Sequence, residues 1–505
     1  MTGNFRTQSD NNLINKNKVV NFTFNGESYQ GFDGDTLASA LIANGVHLVG
    51  RSFKYHRPRG FLGVGVEEPN AMVQLHEGDK SEPNIMATEV EIIEGLKAKS
   101  QNCWPSVKFD IGEINNVLNR FFPAGFYYKT FMWPKSFWMS VYEPIIRKAA
   151  GMGVAPIKPD PDRYEHNYEH CDVLVVGSGP SGLAAALAAA NNGAKVILAE
   201  DKAHFGGSLL TDDVTIGNQS GKEWADETIN HLKSLPNVIV KNRSQVFGYY
   251  DHNMTVMFER VSDHIENPSE FTPRQRLHYI RAGEVVVSTG SIERPLSFGN
   301  NDRPGIFLAS AATEYMKVYG TLVGKKPIIF TNNDSAYKAA IEFNKNNIKS
   351  LIVDTRENSD GDLVKEAQSL GLEIKFNSGV ADVKGRLKIT SAIIGKLNSD
   401  KESFVSLEEI ECDCICMSGG WTPTVHLSSQ AGNKLKFDED LDAFVPNNKR
   451  QKETAVGSAN GSFTLKQSLA EGFQVGFDLS NSITSNNKNT TCLLYTSPSP
   501  RDKRQ

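Results

Sequence analysis

A chain of 505 residues, 39% hydrophobic and 22% charged, is too long for one core, so three or four globular domains are expected. Its net charge of −5 gives no electrostatic case for nucleic acid as a main partner, and no apolar run is long enough to span a membrane. Six cysteines without disulfide-scaffold spacing, and a polar start lacking an apolar signal core, point to a reducing cytoplasm and no export.

Residues 1–17 are rich in Asn, Lys and Ser and are expected to be disordered. From Val19, VNFTFNGESYQGF alternates apolar and polar positions around Asn25-Gly26, a β-hairpin signal. Asp35-Thr36 then caps a short helix, LASALIANG, which Gly45 ends. Hairpin, helix and the glycine-rich loop Arg51 to Leu75 open a β-grasp, ferredoxin-like domain, assigned to residues 18–100. The loop is similar to the 2Fe–2S loop fused to amine-oxidising flavoenzymes, whose pattern is C-G-x-G-x-C-x-x-C. Gly63 and Gly65 keep the frame, but Leu62, Glu67 and Asn70 stand at the ligand positions, so the domain is expected to lack a cluster. The basic run Arg51, Lys54, Arg57 and Arg59 reads as a solvated loop or subunit contact.

Residues 101–168 form an aromatic-rich connector, with Trp104, Phe121, Phe126, Phe131, Trp133 and Trp138 among its rings and Pro105, Pro123, Pro134 and Pro144 breaking any long helix. Such rings suit either packing over neighbouring domains or a partner-binding surface, and the sequence leaves both open. In YEHNYEH, His166 and His170 lie four apart beside Glu165 and Glu169. No further ligands gather there, so a solvated linker is expected.

The stretch Cys171 to Glu200 organises the rest. Val173 to Val176 is short and apolar enough for a buried strand of a parallel sheet. Gly177, Gly179 and Gly182 follow as G-x-G-x-x-G, then an alanine-rich helix, Asn192-Gly193, and a second strand ending on Glu200. Gly177 makes the turn, Gly179 lets the backbone approach a pyrophosphate, and Gly182 lets helix and strand touch. The diphosphate would rest on the helix N-terminus, and Glu200 stands where a carboxylate accepts ribose hydroxyls. Gly206-Gly207-Ser208 allows a further close approach, the main chain at Val246 could flank adenine, and Glu284 to Gly290 closes this unit with Thr289-Gly290.

A second strand–turn–helix–strand unit starts at Lys326, with Asn332-Asn333 where glycines would stand. It is read as an inserted, degenerate second nucleotide-binding domain at 325–408, the first occupying 169–324 and 409–482. IECDCICM, Ile410 to Met417, is expected to return to the first domain as a buried strand, its three cysteines sharing one face. Gly457-Ser458 precedes the last helix, where FAD enzymes of this architecture carry Gly-Asp, so the site suits NAD better than FAD. Residues 483–505 are expected to be a disordered tail, and whether they are native coding sequence stays open. The fold class is therefore α/β, a two-dinucleotide-binding-domain (Rossmann-like) flavoprotein architecture behind a cluster-free β-grasp domain.

The loop SFKYHRPRG…LGVG, with VVGSGPSGLAAALAAA, FTNNDSAY, SGGWTP and VGSANG, resembles the alpha subunit of heterotetrameric sarcosine oxidases over roughly residues 18–480. The resemblance implies NAD bound on this chain, FAD and substrate on a beta subunit, FMN at the alpha–beta interface, and gamma and delta partners. Tetrahydrofolate would belong to a C-terminal domain that this chain lacks, and a fragment or shorter paralogue would explain the stop after the helix at Gly476. The implied reaction is oxidative demethylation of sarcosine to glycine. Carried over, the cofactor contacts are Gly177, Gly179, Ser181, Gly182, Glu200, Asp201, Lys202, Gly207, Ser208, Val246, Thr289, Gly290, Ala459 and Leu465. Glu200 and Asp201 would address the adenosine ribose and repel the extra phosphate of NADP. No residue is assigned a catalytic role. Two other readings stand beside this one: an FAD-dependent amine or amino-acid dehydrogenase subunit of hydroxyproline or opine type, and a non-catalytic nucleotide-binding scaffold.

Overall fold

The computed structural model describes residues 4–8, 12–122, 125 and 133–487. Asn25 (φ 54°) and Gly26 (φ 81°) take the paired positive φ of a two-residue hairpin turn, joining β1 (Asn15–Phe24) to β2 (Glu27–Asp33). Thr36 caps α1 (Leu37–Ala43) by accepting the Ser39 amide at 3.1 Å, and the whole helix is buried. With β3 (Met72–Leu75), β4 (Glu82–Met86) and β5 (Leu96–Ser100) the sheet runs β2-β1-β5-β3-β4.

Two expectations fail here for one reason, a distant partner. The described residues before 17 are ordered: the Phe5 amide donates to the Ala43 carbonyl, the Leu13 amide to that of Val318, and Arg6 grips Asp35 and the Tyr319 carbonyl. Residues 1–3 and 9–11 lie outside the described residues. In the basic run, three arginines are internal rather than solvated. Arg51 is buried and donates to the Val107 and His56 carbonyls at 2.9 and 3.0 Å, while Arg57 and Arg59 converge on Asp302.

The connector leaves Trp104, Phe121 and Trp133 largely exposed, and residues 126–132, with Phe126 and Phe131, lie outside the described residues. Beyond it come β6 (Tyr164–Val176), α2 (Pro180–Asn191), β7 (Val196–Ala199), α3 (Gly221–Ser234), β8 (Val238–Lys241), β9 (Ser244–Tyr250), β10 (Met254–Arg260) and β11 (Gln275–Val287). Their sheet runs β8-β7-β6-β11-β10-β9. YEHNYEH is the first half of β6, not a linker, and it pairs in parallel with β11 from Tyr164↔Gln275 onward. Its two faces divide the work. His166 and His170 are exposed, whereas Glu165 bonds Arg276 at 3.0 Å and Glu169 bonds His278 Nδ1 at 2.8 Å. His278 is fully buried, with Nε2 on Glu259 at 2.7 Å; burial opposes its charge, but the two carboxylates hold its imidazole above the ordinary value.

The chain leaves this unit through β12 (Ser291–Glu293). The second unit holds β13 (Ile306–Leu308), α4 (Ala309–Lys317), β14 (Pro327–Thr331), α5 (Tyr337–Lys345), β15 (Leu351–Asp354) and β16 (Glu373–Lys375). The meander β17 (Ser378–Lys384), β18 (Ser391–Leu397) and β19 (Phe404–Glu411) follows, and then β20 (Cys414–Ser418). The parallel sheet is β13-β20-β14-β15-β16. The unit is therefore wider than 325–408, and the cysteine strand stays inside it. The return comes one strand later, at β21 (Trp421–Pro423), antiparallel to β12. Cys414 and Cys416 face one apolar cluster and Cys412, ahead of the strand, joins another, so the three thiols do not share a face. Burial pushes the Cys412 thiol up to about 12.

Last come β22 (Glu453–Ala455), parallel to β11, and α6 (Leu465–Asn487), which runs past Gly476 and carries helix through 487, beyond the expected tail start at 483; residues 488–505 lie outside the described residues. Cβ atoms on Gly472 and Gly476 would overlap the Ser181 and Ala185 carbonyls, so α6 and α2 touch backbone to backbone. One apolar cluster runs from Phe22, Phe24 and Leu41 of the β-grasp domain to Phe307, Tyr315 and Phe343 of the second unit. No helix among the described residues is long and apolar enough to cross a membrane.

Candidate functional site

The site sits where β6, β7 and β11 end. Val173 to Val175 are fully buried, so the strand delivers its last residues to a fixed point. Gly177 turns the chain with φ 97°, and a Cβ on it would strike the Ser288 carbonyl oxygen. The Ser288 hydroxyl donates to the carbonyls of Val176 and Gly177 at 2.7 and 2.8 Å, welding the turn to the end of β11. A Cβ on Gly182 would overlap the Gly177 carbonyl, so only glycine lets α2 approach β6. Gly179 differs: a Cβ there meets no atom within 4 Å. This open space faces the start of α2, whose first-turn amides have no intrahelical acceptor. Ser181 is buried in that first turn.

Two more glycine turns close around it. A Cβ on Gly207 would come 2.9 Å from Gly179 Cα, and the Gly206 amide donates to the Ser178 carbonyl at 3.1 Å. Ser208 beside them is exposed. Gly457 (φ 67°) abuts Ser181, and its amide donates to Glu471 at 2.8 Å, which also accepts from Asn460 at 2.5 Å. Ala459 is buried in the same turn. Thr289 donates to the Thr424 carbonyl at 2.9 Å, ahead of Gly290 (φ 75°).

Glu200 is buried at the end of β7. Its Oε2 accepts the Ser178 amide at 2.8 Å and hydroxyl at 2.5 Å, and its Oε1 accepts the Lys202 amide at 3.2 Å. Burial, with neighbouring Asp201, pushes the Glu200 carboxyl up to about 8. Not every expected contact converges. The Lys202 ammonium turns to Glu314 of α4 at 2.5 Å; burial disfavours its charge, but Glu314 and Glu67 hold it well above the ordinary value. Asp201 offers its carbonyl to Arg260 at 2.8 Å. Val246 packs in the core with Val176 and Ala199, and Leu465 packs half-buried at the start of α6. Ser178, Ser288 and Glu471 join the site without standing out in the sequence. The signals were a serine inside the glycine motif, a serine one residue before Thr289, and an acid on the last helix.

The residues present fit a dinucleotide: bare amides and free volume for a diphosphate, and a buried acid for a ribose. The matching turn of the second unit does not. Asn333 donates to the Ser418 carbonyl at 3.2 Å and accepts the Ser335 amide at 3.0 Å, Trp421 donates to Ser335 at 2.9 Å, and Arg356 closes on Asp354. Asn333 sits at φ −150°, in extended backbone. The Arg51 to Leu75 loop does not fit an iron–sulfur cluster either, because Leu62, Glu67 and Asn70 provide no thiolate.

A nucleotide turn of this shape, in a two-unit α/β frame, defines a class. The chain belongs to the pyridine nucleotide-disulphide oxidoreductase family, whose model matches residues 171–447; residues 17–103 match a 2Fe-2S iron-sulfur cluster binding domain. Within that class it is similar to sarcosine oxidase alpha subunits. The one from Rhizobium meliloti (strain 1021) is 44% identical over 461 residues, covering 91% of this chain and 46% of that protein. The one from Corynebacterium sp. (strain P-1) is 33% identical over 476 residues, 93% of this chain and 44% of that protein. The chain thus spans about half the length of the curated relatives it matches. The crystal structure of L-proline dehydrogenase from P. horikoshii shares the fold, with a TM-score of 0.62 at 18% identity over 95% of this chain and 76% of that one.

Proposed function

We propose that this chain is the nucleotide-holding part of the alpha subunit of a multisubunit sarcosine oxidase, in which sarcosine and water yield glycine and formaldehyde while dioxygen takes the two electrons. The observation that carries this reading is 44% identity over 461 residues to a protein of that name. NAD is the proposed resident dinucleotide. Its diphosphate would rest on the amides after Gly179, and Glu200 would hold the adenosine ribose, with Ser178 fixing the carboxylate's orientation. Ser458, in place of an acid, leaves no carboxylate for the ribityl chain of FAD. A flavin held by or shared with a beta subunit would supply the hydride-accepting chemistry. This chain binds and orients; none of its residues is assigned a proton transfer. Exposed Trp104, Phe121 and Trp133 support contact with beta, gamma or delta partners. Tetrahydrofolate would need a domain beyond these residues, and the compartment proposed is the cytoplasm.

The test is to purify the chain alone and with candidate partner chains, identify any retained dinucleotide by mass spectrometry, and measure sarcosine-dependent oxygen uptake. The reading expects NAD on the chain alone, and flavin absorbance and oxygen uptake only in the complex. FAD on the isolated chain would favour an amine dehydrogenase subunit, and a complex without sarcosine-dependent uptake would overturn the reading.

A further inference from the structure

The loop that resembles a cluster-binding loop turns six backbone amides onto two carboxylates, four onto Glu68 and two onto Glu67. Glu68 Oε2 accepts the amides of Leu62 and Gly63 at 2.6 and 2.8 Å, and its Oε1 accepts those of Asn70 and Ala71 at 2.7 and 3.2 Å. Glu67 Oε1 accepts the amides of Val64 and Gly65 at 2.7 and 3.0 Å. Glu68 is 0% exposed. Burial, with neighbouring Glu67, pushes the Glu68 carboxyl up to about 7, while the four N–H donors on its oxygens pull towards the ionised acid, since a proton placed there would have no acceptor. The two glycines of the metal-loop pattern serve the carboxylates: a Cβ on Gly63 would come 2.6 Å from Glu67 Oε1, and one on Gly65 2.9 Å from Oε2.

The outside of the loop is held as firmly. Tyr315 of α4 donates its hydroxyl to the Gly63 carbonyl at 3.0 Å, the Leu308 amide donates to the Leu62 carbonyl at 2.8 Å, and the Thr88 hydroxyl donates to the Gly65 carbonyl at 2.9 Å. Glu67 also stands beside Lys202, the residue that follows Glu200 and Asp201. One loop therefore touches the β-grasp domain, the second unit and the edge of the nucleotide site.

We propose that Glu67 and Glu68 are a built-in anion that organises this loop as a bound cluster would, turning a metal loop into a rigid strut between three units. The carboxylates give the inward amides an acceptor, and removing them leaves buried donors unpaired.

The test compares the full-length wild type with Glu68→Gln, Glu68→Ala and Glu67→Gln by site-resolved hydrogen exchange and thermal melting. In the wild type the amides of Leu62, Gly63, Asn70 and Ala71 should be protected. In Glu68→Gln they should exchange on the order of tenfold faster or more, while Val173 to Val176 keep their protection. Formate, a free carboxylate small enough for the vacated cage, should raise the melting temperature of Glu68→Ala in a saturable way and leave the wild type unmoved. Should the Glu68 variants fail to fold, Glu67→Gln decides: faster exchange at Val64 and Gly65 supports the proposal, and unchanged exchange overturns it. Wild-type protection in Glu68→Gln overturns it too. So does a stoichiometric cluster in the wild type after anaerobic reconstitution with ferrous iron and sulfide, since the carboxylates and a cluster cannot share the cage.

Discussion

Gly179 and Gly182 belong to one motif, yet the structure gives them opposite sensitivities. Alanine at 182 would drive its methyl into the Gly177 carbonyl and the Ser288 hydroxyl, both fixed by hydrogen bonds. Relief would mean moving α2 off β6, an overpacking cost of about 1–3 kcal/mol or more. Alanine at 179 meets nothing within 4 Å, and φ −65° with ψ −177° is extended backbone open to any residue. Gly179→Ala should therefore leave the ligand-free chain as stable as wild type, or about 0.4–1 kcal/mol more stable through reduced freedom of the unfolded chain. Its methyl, however, occupies the volume a diphosphate would take. The stabilisation a ligand supplies at a hundredfold excess over Kd, about 2.7 kcal/mol, should vanish. At roughly 2–4 °C per kcal/mol this is a lost thermal shift of roughly 5–11 °C. Melting curves of wild type, Gly179→Ala and Gly182→Ala with and without NAD measure all three effects. A wild-type NAD shift in Gly179→Ala, or collapse of the ligand-free variant, would refute the reasoning.

The Glu200 carboxyl, raised to about 8, keeps a proton in the folded chain that the unfolded chain has lost, so ligand-free stability should fall as pH climbs from the ordinary carboxylate value to about 8. Over the upper part of that window NAD should bind more tightly as the carboxylate becomes available to ribose hydroxyls. Melting and affinity series against pH check both slopes, and Glu200→Gln should flatten them. His278 works the other way. Its raised value means that its contribution is complete below the unfolded histidine value and is lost as pH rises through the folded one, so the melting difference between wild type and His278→Gln should shrink with rising pH. Gly472→Ala, which presses a methyl onto the Ser181 carbonyl, should cost about 1–3 kcal/mol in denaturant unfolding.

What the sequence showed well was local. The Asn25-Gly26 hairpin and the Gly177 to Glu200 unit depend on neighbours within some thirty residues, and each residue type there has one evident physical use. What it hid was remote. Arg57 looks solvated until Asp302, 245 positions on, is placed against it. YEHNYEH looks like a linker because one face of β6 is exposed, while the face that makes it a strand answers to β11. The edge of the second unit is hidden because β13 is three residues long, too short to register as a strand beside β20. Glu68 sits one place after a lost ligand position, where a missing cysteine draws attention and the acid beside it does not.

The apolar cluster that joins Phe22 and Leu41 to Phe307 and Phe343 sets how this polypeptide can be cut. A break near residue 100, natural as it looks on a domain map, would leave oily faces bare on both pieces. The N-terminal hundred residues therefore behave as half of a folding unit whose other half lies some two hundred residues downstream, and neither half should stay in solution without its mate.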